Sequence, residues 1–354
     1  MRQISLTVIR LFVFILTASF ILLLTKMNSG NVDYHELTEV QFERELQKCV
    51  VDSYILEDMG NNKLSADSAV FREKAGSVNP STYNLTIADV DSSEAGLGNL
   101  MFMYASMYGL ALTNNRTPVL KTNHRLLKYF TLKVIKVTNE DIDSSRLEYT
   151  KVMVPCCAKY FPNLCNLSPG NHQISGYLQS WKYFDFVKPD ILEQFQFDLK
   201  TSQLAKEFIS EIKKGLSGQI TLIGVHVRRG DMISKKNIDF GHQVATTEYL
   251  KNAMLYFKQK YPKLAFVILT SNDDLSWTKQ NINLTEDIYF SENHSEIEDL
   301  AILTHCNHTI ITTGTFGWWG GYLTGGTTVY FRDWPRAGSP LDKGTNHTEY
   351  FPKS

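Results

Sequence analysis

Two adjacent arginines in the segment His226-Val227-Arg228-Arg229-Gly230-Asp231 are the side chains here best suited to gripping a phosphate ester. A guanidinium offers planar, fork-like donors to phosphate oxygens and keeps its charge at any physiological pH. Gly230 lets the backbone turn tightly beside them. The segment continues the apolar run that begins at Ile220, so the pattern places it where a buried strand leaves the core. A solvated Arg-Arg-Gly-Asp loop is the competing reading, and attachment to an apolar strand argues against it.

Two further polar groups follow apolar runs in the same way. Ser271-Asn272-Asp273-Asp274 comes after Leu264–Thr270, and a carboxylate there can accept hydrogen bonds from a base or ribose. An N-cap for the next helix is the plainer reading of the same residues. Thr313-Gly314-Thr315-Phe316-Gly317 leads into Trp318-Trp319-Gly320-Gly321. Its glycines allow a sharp passage from strand to helix, whose first N–H groups can hold an anion. Phe316 is a candidate contact for base or sugar, and Trp318 and Trp319 read as packed aromatic core.

The elements that must position these groups are legible in the second half. Strands are expected at 220–227, 264–270, 287–290, 308–313 and 327–331, with helices at 246–261, 295–305 and 314–323 between them. Ser295 and Glu298 have capping-box spacing. Short strands alternating with helices indicate a mostly parallel sheet covered on both faces, and ligands of such sheets bind beyond the carboxyl ends of the strands. In the first half, Ser92–Asn99 is a Gly-rich loop opening an apolar helix, Leu100–Leu112. Pro118–Lys121 reads as a strand, residues 123–195 as short apolar runs with turns, and 189–197 and 203–216 as helices.

The chain of 354 residues carries 36 Lys and Arg against 37 Asp and Glu, a formal charge of -1. Binding of nucleic acid through bulk electrostatics is thereby disfavoured. Five cysteines (Cys49, Cys156, Cys157, Cys165, Cys306) contain no CxxC pair, which points away from zinc and thioredoxin chemistry. One or two disulfides fit an oxidising compartment, with connectivity open. Residues 11–25 are uncharged and largely apolar, with Arg2 and Arg10 before them and Asp33, Glu36 and Glu39 after. That charge order predicts a cytosolic tail (1–10), a transmembrane core (11–25) and a lumenal remainder. The run is short beside the roughly 20 residues of a full span, so part of the upstream apolar stretch joins it. A cleaved signal peptide is the rival, without a clear small-x-small site after Leu24. Seven Asn-x-Ser/Thr triplets, at Asn84, Asn115, Asn166, Asn283, Asn293, Asn307 and Asn346, agree with a lumenal location, although Asn307 leads directly into an expected buried strand.

Taken together, these motifs resemble those of the alpha-1,2-fucosyltransferases. Gly96-Leu97-Gly98-Asn99 with Tyr104-Ala105 resembles the family's first motif, and Gly176-Tyr177-Leu178-Gln179-Ser180-Trp181 its middle segment. The groups at 226–231, 271–273 and 313–317 resemble its donor-domain motifs, so the resemblance spans about residues 92–335. It implies an α/β, GT-B-like fold of two lobes with parallel sheets, preceded by a transmembrane helix and a stem (26–87). An acceptor-side lobe (88–217) and a GDP-fucose-binding lobe (218–354) follow. It further implies inverting transfer from GDP-beta-L-fucose to the 2-hydroxyl of a terminal beta-galactoside of a glycan, with no metal or other cofactor, in a single-pass type II protein of the Golgi membrane. A homo-oligomer is left open.

By carry-over, Arg228 clamps the diphosphate, assisted by Arg229. His226 and Asp273 or Asp274 recognise the guanine–ribose end, Ser271 joins the donor site, and Gly314, Thr315 and Phe316 shape the phosphate pocket. Asp231 is a candidate base or an orienting partner of either arginine. The family commonly carries Gln where this chain has Leu100 and often a polar residue where it has Met103, which leaves either an altered acceptor or inward packing. A metal-dependent transferase using Asp89 and Asp91 and a glycan-binding relative without turnover are the alternatives.

Overall fold

Apolar runs such as Leu264–Thr270 are buried only when both faces of their sheet are covered, and the computed structural model uses them in that way. It describes residues 55–56, 83–88, 95–138, 148–282 and 287–352, all within the unit Ser53–Ser354. The strands are β1 (Ile55–Leu56), β2 (Asn84–Ile87), β3 (Thr117–Lys121), β4 (Ile135–Val137), β5 (Tyr149–Met153), β6 (Asn171–Ser175), β7 (Thr221–Val227), β8 (Leu264–Thr270), β9 (Ile288–Ser291), β10 (His308–Ile311) and β11 (Thr328–Tyr330). One sheet has the order β4-β3-β2-β6-β5 and is parallel throughout. The other has the order β1-β11-β10-β7-β8-β9 and is parallel except for β1.

The α-helices are α1 (Leu97–Thr113), α2 (Lys188–Gln194), α3 (Leu199–Lys214), α4 (Lys235–Phe240), α5 (Thr247–Lys260), α6 (Asn272–Asn281), α7 (Glu296–Thr304), α8 (Thr315–Thr324), α9 (Pro340–Lys343) and α10 (His347–Tyr350). Ser295 and Glu298 form the expected capping box at the start of α7. In β7, Ile223, Val225 and Val227 pack with Leu250, Met254 and Phe257 of α5. Leu222 turns the other way, toward Ile209 and Ile212 of α3 and Leu303 of α7. This period of two covers both faces and sets the direction of everything that follows β7.

The boundaries expected from sequence shift in two places. Asn84–Ile87, expected to close the stem, is the middle strand of the first sheet, and β1 at 55–56 pairs with the second. A strand of four residues without a clear alternating pattern gives too little signal to be separated from a polar stem. The carboxyl end of the chain also crosses back. Asn346 donates its backbone N–H to Ala158 O at 2.9 Å, and the Ser180 hydroxyl donates to Glu349 O at 2.7 Å. The last residues therefore pack on the first lobe although they follow the second.

Between the sheets lies α1, apolar on every side and almost wholly buried. Leu100 and Met103, where the family has polar residues, are each 1% exposed and belong to the core, so inward packing is the reading the structure supports. Trp318 and Trp319 of α8 pack against Phe102 of α1, with ring centroids 4.4 and 5.2 Å apart. Each such aromatic pair adds about 0.5–1.5 kcal/mol beyond burial. Their indole N–H groups donate to Tyr350 O and Gly98 O, at 2.8 and 3.0 Å.

No helix among the described residues is long and apolar enough to cross a membrane, and the expected tail and anchor at 1–25 lie outside those residues. Cys156 and Cys157 are paired in a disulfide, and Cys165 and Cys306 are free thiols. Of the triplet asparagines, Asn115, Asn166, Asn293, Asn307 and Asn346 are exposed. Asn307 is held by Leu222 N–H, which donates to its Oδ1 at 2.9 Å, in keeping with its place before a buried strand.

Gly98 is the tightest point of the α1–α8 contact: a Cβ there would lie 2.5 Å from the carbonyl carbon of Thr315. Gly98→Ala is expected to cost about 1–3 kcal/mol, the usual range for overpacking a core, read by thermal or urea unfolding. Gly96→Ala, with nothing within 4 Å of its added Cβ, serves as the matched control and should cost much less.

Candidate functional site

The three motifs meet at the carboxyl edge of β7, β8 and β10, three neighbouring parallel strands. His226 lies in β7 itself, Ser271 follows β8, and Gly314 follows β10 by a few residues. Arg228 leaves the strand with its backbone N–H donated to Thr312 Oγ1 at 3.0 Å. Its guanidinium then lies across Gly314, and a Cβ on that residue would stand 3.0 Å from Arg228 Nη1. Gly314 also has φ +97°, so both backbone conformation and space demand glycine.

Arg229 goes the other way. Its guanidinium sits 3.8 Å from the ring centre of Trp277, on α6. The alternation of β7 explains this: odd-numbered residues from 223 face α5 and α6, even-numbered ones face α7 and α8, and the arginines extend that rule past the strand end. The expected pair therefore does not form one fork. Arg228 faces the α8 entrance, while Arg229 is held in a cation–π contact that gains strength where water is excluded.

Asp274 is the buried organiser of the turn. Its carboxylate accepts the backbone N–H of Arg229 at 2.8 Å, that of Gly230 at 2.8 and 2.9 Å, and the Ser271 hydroxyl at 3.1 Å. At 5% exposure it holds the loop rather than facing outward, and of the two carboxylates expected at the guanine–ribose end it is the buried one. Ser271 and Asp273 are exposed at the same edge. Asp231, also exposed, accepts from Arg228 Nε and Nη2 at 3.2–3.3 Å. Of its two expected roles, orienting an arginine is the one visible in the geometry.

His226 is 7% exposed, and its ring lies 5.1 Å from that of Phe316. A Cβ on Gly317 would meet its Nδ1 at 2.7 Å, so the glycine leaves room for the ring. Burial first, and the nearby Arg228 charge second, lower its pKa to about 3. His226 is thus neutral, and its Nδ1 is a buried polar atom without a hydrogen-bond partner among the described residues. Thr315 opens α8, which begins with no side-chain cap; the amides of that first turn are available to an anion.

Several neighbours carry no signal in sequence. Trp277 is one. His242 is another: it accepts Trp334 Nε1–H on Nδ1 at 3.2 Å, which puts its own proton on Nε2 and makes it a donor rather than a base. Burial and Arg228 lower its pKa as well. Gln179 and Asn99 lie in motifs that sequence reading assigned to the acceptor side, yet Thr315 donates its hydroxyl to Asn99 Oδ1 at 2.8 Å. Among the described residues there is no group of three or more His, Cys, Asp or Glu positioned to hold a metal ion.

Comparison with known proteins identifies a family for the chain. Residues 64–349 match the model described as Glycosyl transferase family 11. The galactoside alpha-(1,2)-fucosyltransferase 2 of Bos taurus is 30% identical over 264 residues, covering 70% of this chain and 72% of that one. The galactoside 2-alpha-L-fucosyltransferase Sec1 of Mus musculus is 31% identical over 264 residues, covering 73% and 69%. Among solved structures, the fucosyltransferase NodZ from Bradyrhizobium overlaps 68% of this chain and 92% of its own at 14% identity, with a TM-score of 0.43.

A depressed histidine pKa has a definite consequence for stability. Because His226 titrates near 3 when folded and near 6.5 when unfolded, the unfolded chain binds the proton first. Its contribution is intact above pH 6.5 and is lost as the pH falls toward 3. The melting temperature of His226→Asn should consequently decline less steeply than that of the parent below pH 6.5. Identical slopes would mean that His226 is not held neutral.

Proposed function

The chain belongs to glycosyl transferase family 11, and from that premise we propose that it transfers L-fucose from GDP-beta-L-fucose to the 2-hydroxyl of a terminal beta-galactoside, with inversion at the anomeric carbon. The observation that carries this reading is Arg228 lying across Gly314 at the uncapped first turn of α8. A side-chain cation and a set of helix amides converge there, as a diphosphate requires. The galactoside acceptor and the 1,2 linkage are those of the relatives, galactoside alpha-(1,2)-fucosyltransferases.

In this reading the second lobe, GT-B-like, holds the nucleotide along the carboxyl edge of its sheet, with Ser271 and Asp273 toward the ribose end. Phe316 and neutral His226 wall the pocket without placing a further charge beside Arg228. Cleavage of the glycosyl–phosphate bond leaves negative charge on GDP and positive charge on the sugar ring. Arg228, oriented by Asp231, interacts more strongly with the departing diphosphate than with the intact donor, which lowers the barrier. The acceptor hydroxyl attacks from the opposite face. Arg229 contributes by fixing the turn through Trp277. No metal or other cofactor has a role in this scheme. The anchor expected at 11–25 places the enzyme in the Golgi membrane as a type II protein, with its catalytic part lumenal.

Arg228→Ala should lower kcat for fucose transfer by roughly 100-fold or more, as loss of a preorganised charge does, with little change in melting temperature. Turnover near that of the parent would overturn the diphosphate clamp. Offering GDP-fucose and galactosides to the protein with and without EDTA, and determining the new linkage, tests the rest. Equal rates and an alpha-1,2 product are expected. Binding of GDP without any transfer would favour the glycan-binding alternative, and loss of turnover in EDTA a metal-dependent one.

A further inference from the structure

Gln179 belongs to the middle segment of the first lobe and is 7% exposed, yet it reaches the edge of the second. Its Nε2–H is donated to Asn99 Oδ1 at 3.0 Å, and the same oxygen accepts the Thr315 hydroxyl at 2.8 Å. Both acceptor sites of that oxygen are therefore in use. A carboxamide held in this way has one orientation, since turning it over would set its N–H groups against the Gln179 N–H. Asn99 Nδ2 has no partner among the described residues, and Asn99 is only half-buried where Gln179 and Thr315 are buried. The oxygen thus faces protein and the nitrogen faces the open side, next to the first turn of α8.

The position is rigid as well as oriented. Gly98, the preceding residue, abuts the Thr315 backbone, and its carbonyl accepts Trp319 Nε1–H at 3.0 Å. Asn99 is hence pinned to α8 by its backbone neighbour on one side and by its own side chain on the other. We propose that Gln179 is a positioning residue that fixes the Asn99 amide, so that Asn99 donates Nδ2–H to a phosphate oxygen of a bound nucleoside diphosphate. The inference rests on the donor-site reading above. It gives the first lobe a direct part in holding the donor and makes Gln179 the residue that determines which end of an amide the ligand meets.

The substitution Gln179→Glu tests it by inverting the amide. An ionised carboxylate at that position accepts rather than donates, so Asn99 would turn over and give its two N–H groups to the new carboxylate and to Thr315. Both contacts survive, but Asn99 Oδ1 now faces the phosphate. Titration of the full chain with GDP should show affinity reduced by about tenfold or more, the usual effect of losing a hydrogen bond to a charged group, at an unchanged melting temperature. Acidification should restore part of that affinity relative to the parent, because the protonated carboxyl group donates as Gln179 does. Asn99→Asp keeps the acceptor for Gln179 and Thr315 and replaces the N–H pair with a carboxylate oxygen; it should weaken GDP binding too, while retaining the fold.

Affinity of Gln179→Glu within about twofold of the parent, or a loss that acidification leaves unchanged, would overturn the proposal. The same holds if Asn99→Asp folds and binds GDP normally. Failure of the parent chain itself to bind GDP would bring down the functional reading and this inference with it. Parent binding that is abolished in Arg228→Ala but unchanged in Gln179→Glu would leave the functional reading standing alone.

Discussion

The arrangement depends on the close approach of two helix beginnings, the first turn of α1 and the first turn of α8. Gly98 sets their separation, because any side chain there would enter the Thr315 backbone. Once they touch, Trp319 can bond Gly98 O, Thr315 can bond Asn99, and Trp318 and Trp319 can pack on Phe102. Buried indole N–H groups that lost these carbonyls would be costly, so the contact is specific as well as apolar. It also places the first motif of the chain against the first turn of α8, 216 positions away for the Asn99–Thr315 pair.

The second constraint is electrostatic. Two arginines in succession would repel each other if both faced one pocket, and the pleat of β7 separates them. One is directed to Gly314 and Asp231, the other to Trp277. Asp274 makes the separation durable by accepting the amides of both residues that follow Arg228. The buried carboxylate, the ring of Trp277 and the exposed Asp231 thus divide the labour of holding one short loop. Only Arg228 is left aimed at the α8 entrance, and neutral His226 adds no competing charge beside it.

The chain does not respect a simple division into an early lobe and a late one. α10 returns to Ala158 and Ser180, and Tyr350 supplies the carbonyl for Trp318. Burial of Leu100 and Met103 in the same region ties their apolar character to packing rather than to contact with an acceptor. A residue can belong to a motif of a binding family and still be selected for the core beneath it, since α1 carries core residues on every face.

The sequence by itself determined the parallel second sheet, the capping box at Ser295, and the convergence of three polar motifs at strand ends. Each is a local pattern: apolar runs of strand length, a Ser–Glu spacing, glycines where a chain must turn. No regular apolar period marks strands β2, β4, β5 and β6, which are short and mix polar with apolar side chains. Tertiary structure alone decided that Arg228 and Arg229 diverge, that Asp274 faces the backbone while Asp273 stays outside, and that Asn99 meets Thr315 and Gln179. Those outcomes turn on which neighbour occupies the far side of a strand or helix. Nearest-neighbour chemistry is written along the chain; contact across 45, 80 or 216 positions arises only when the elements are packed.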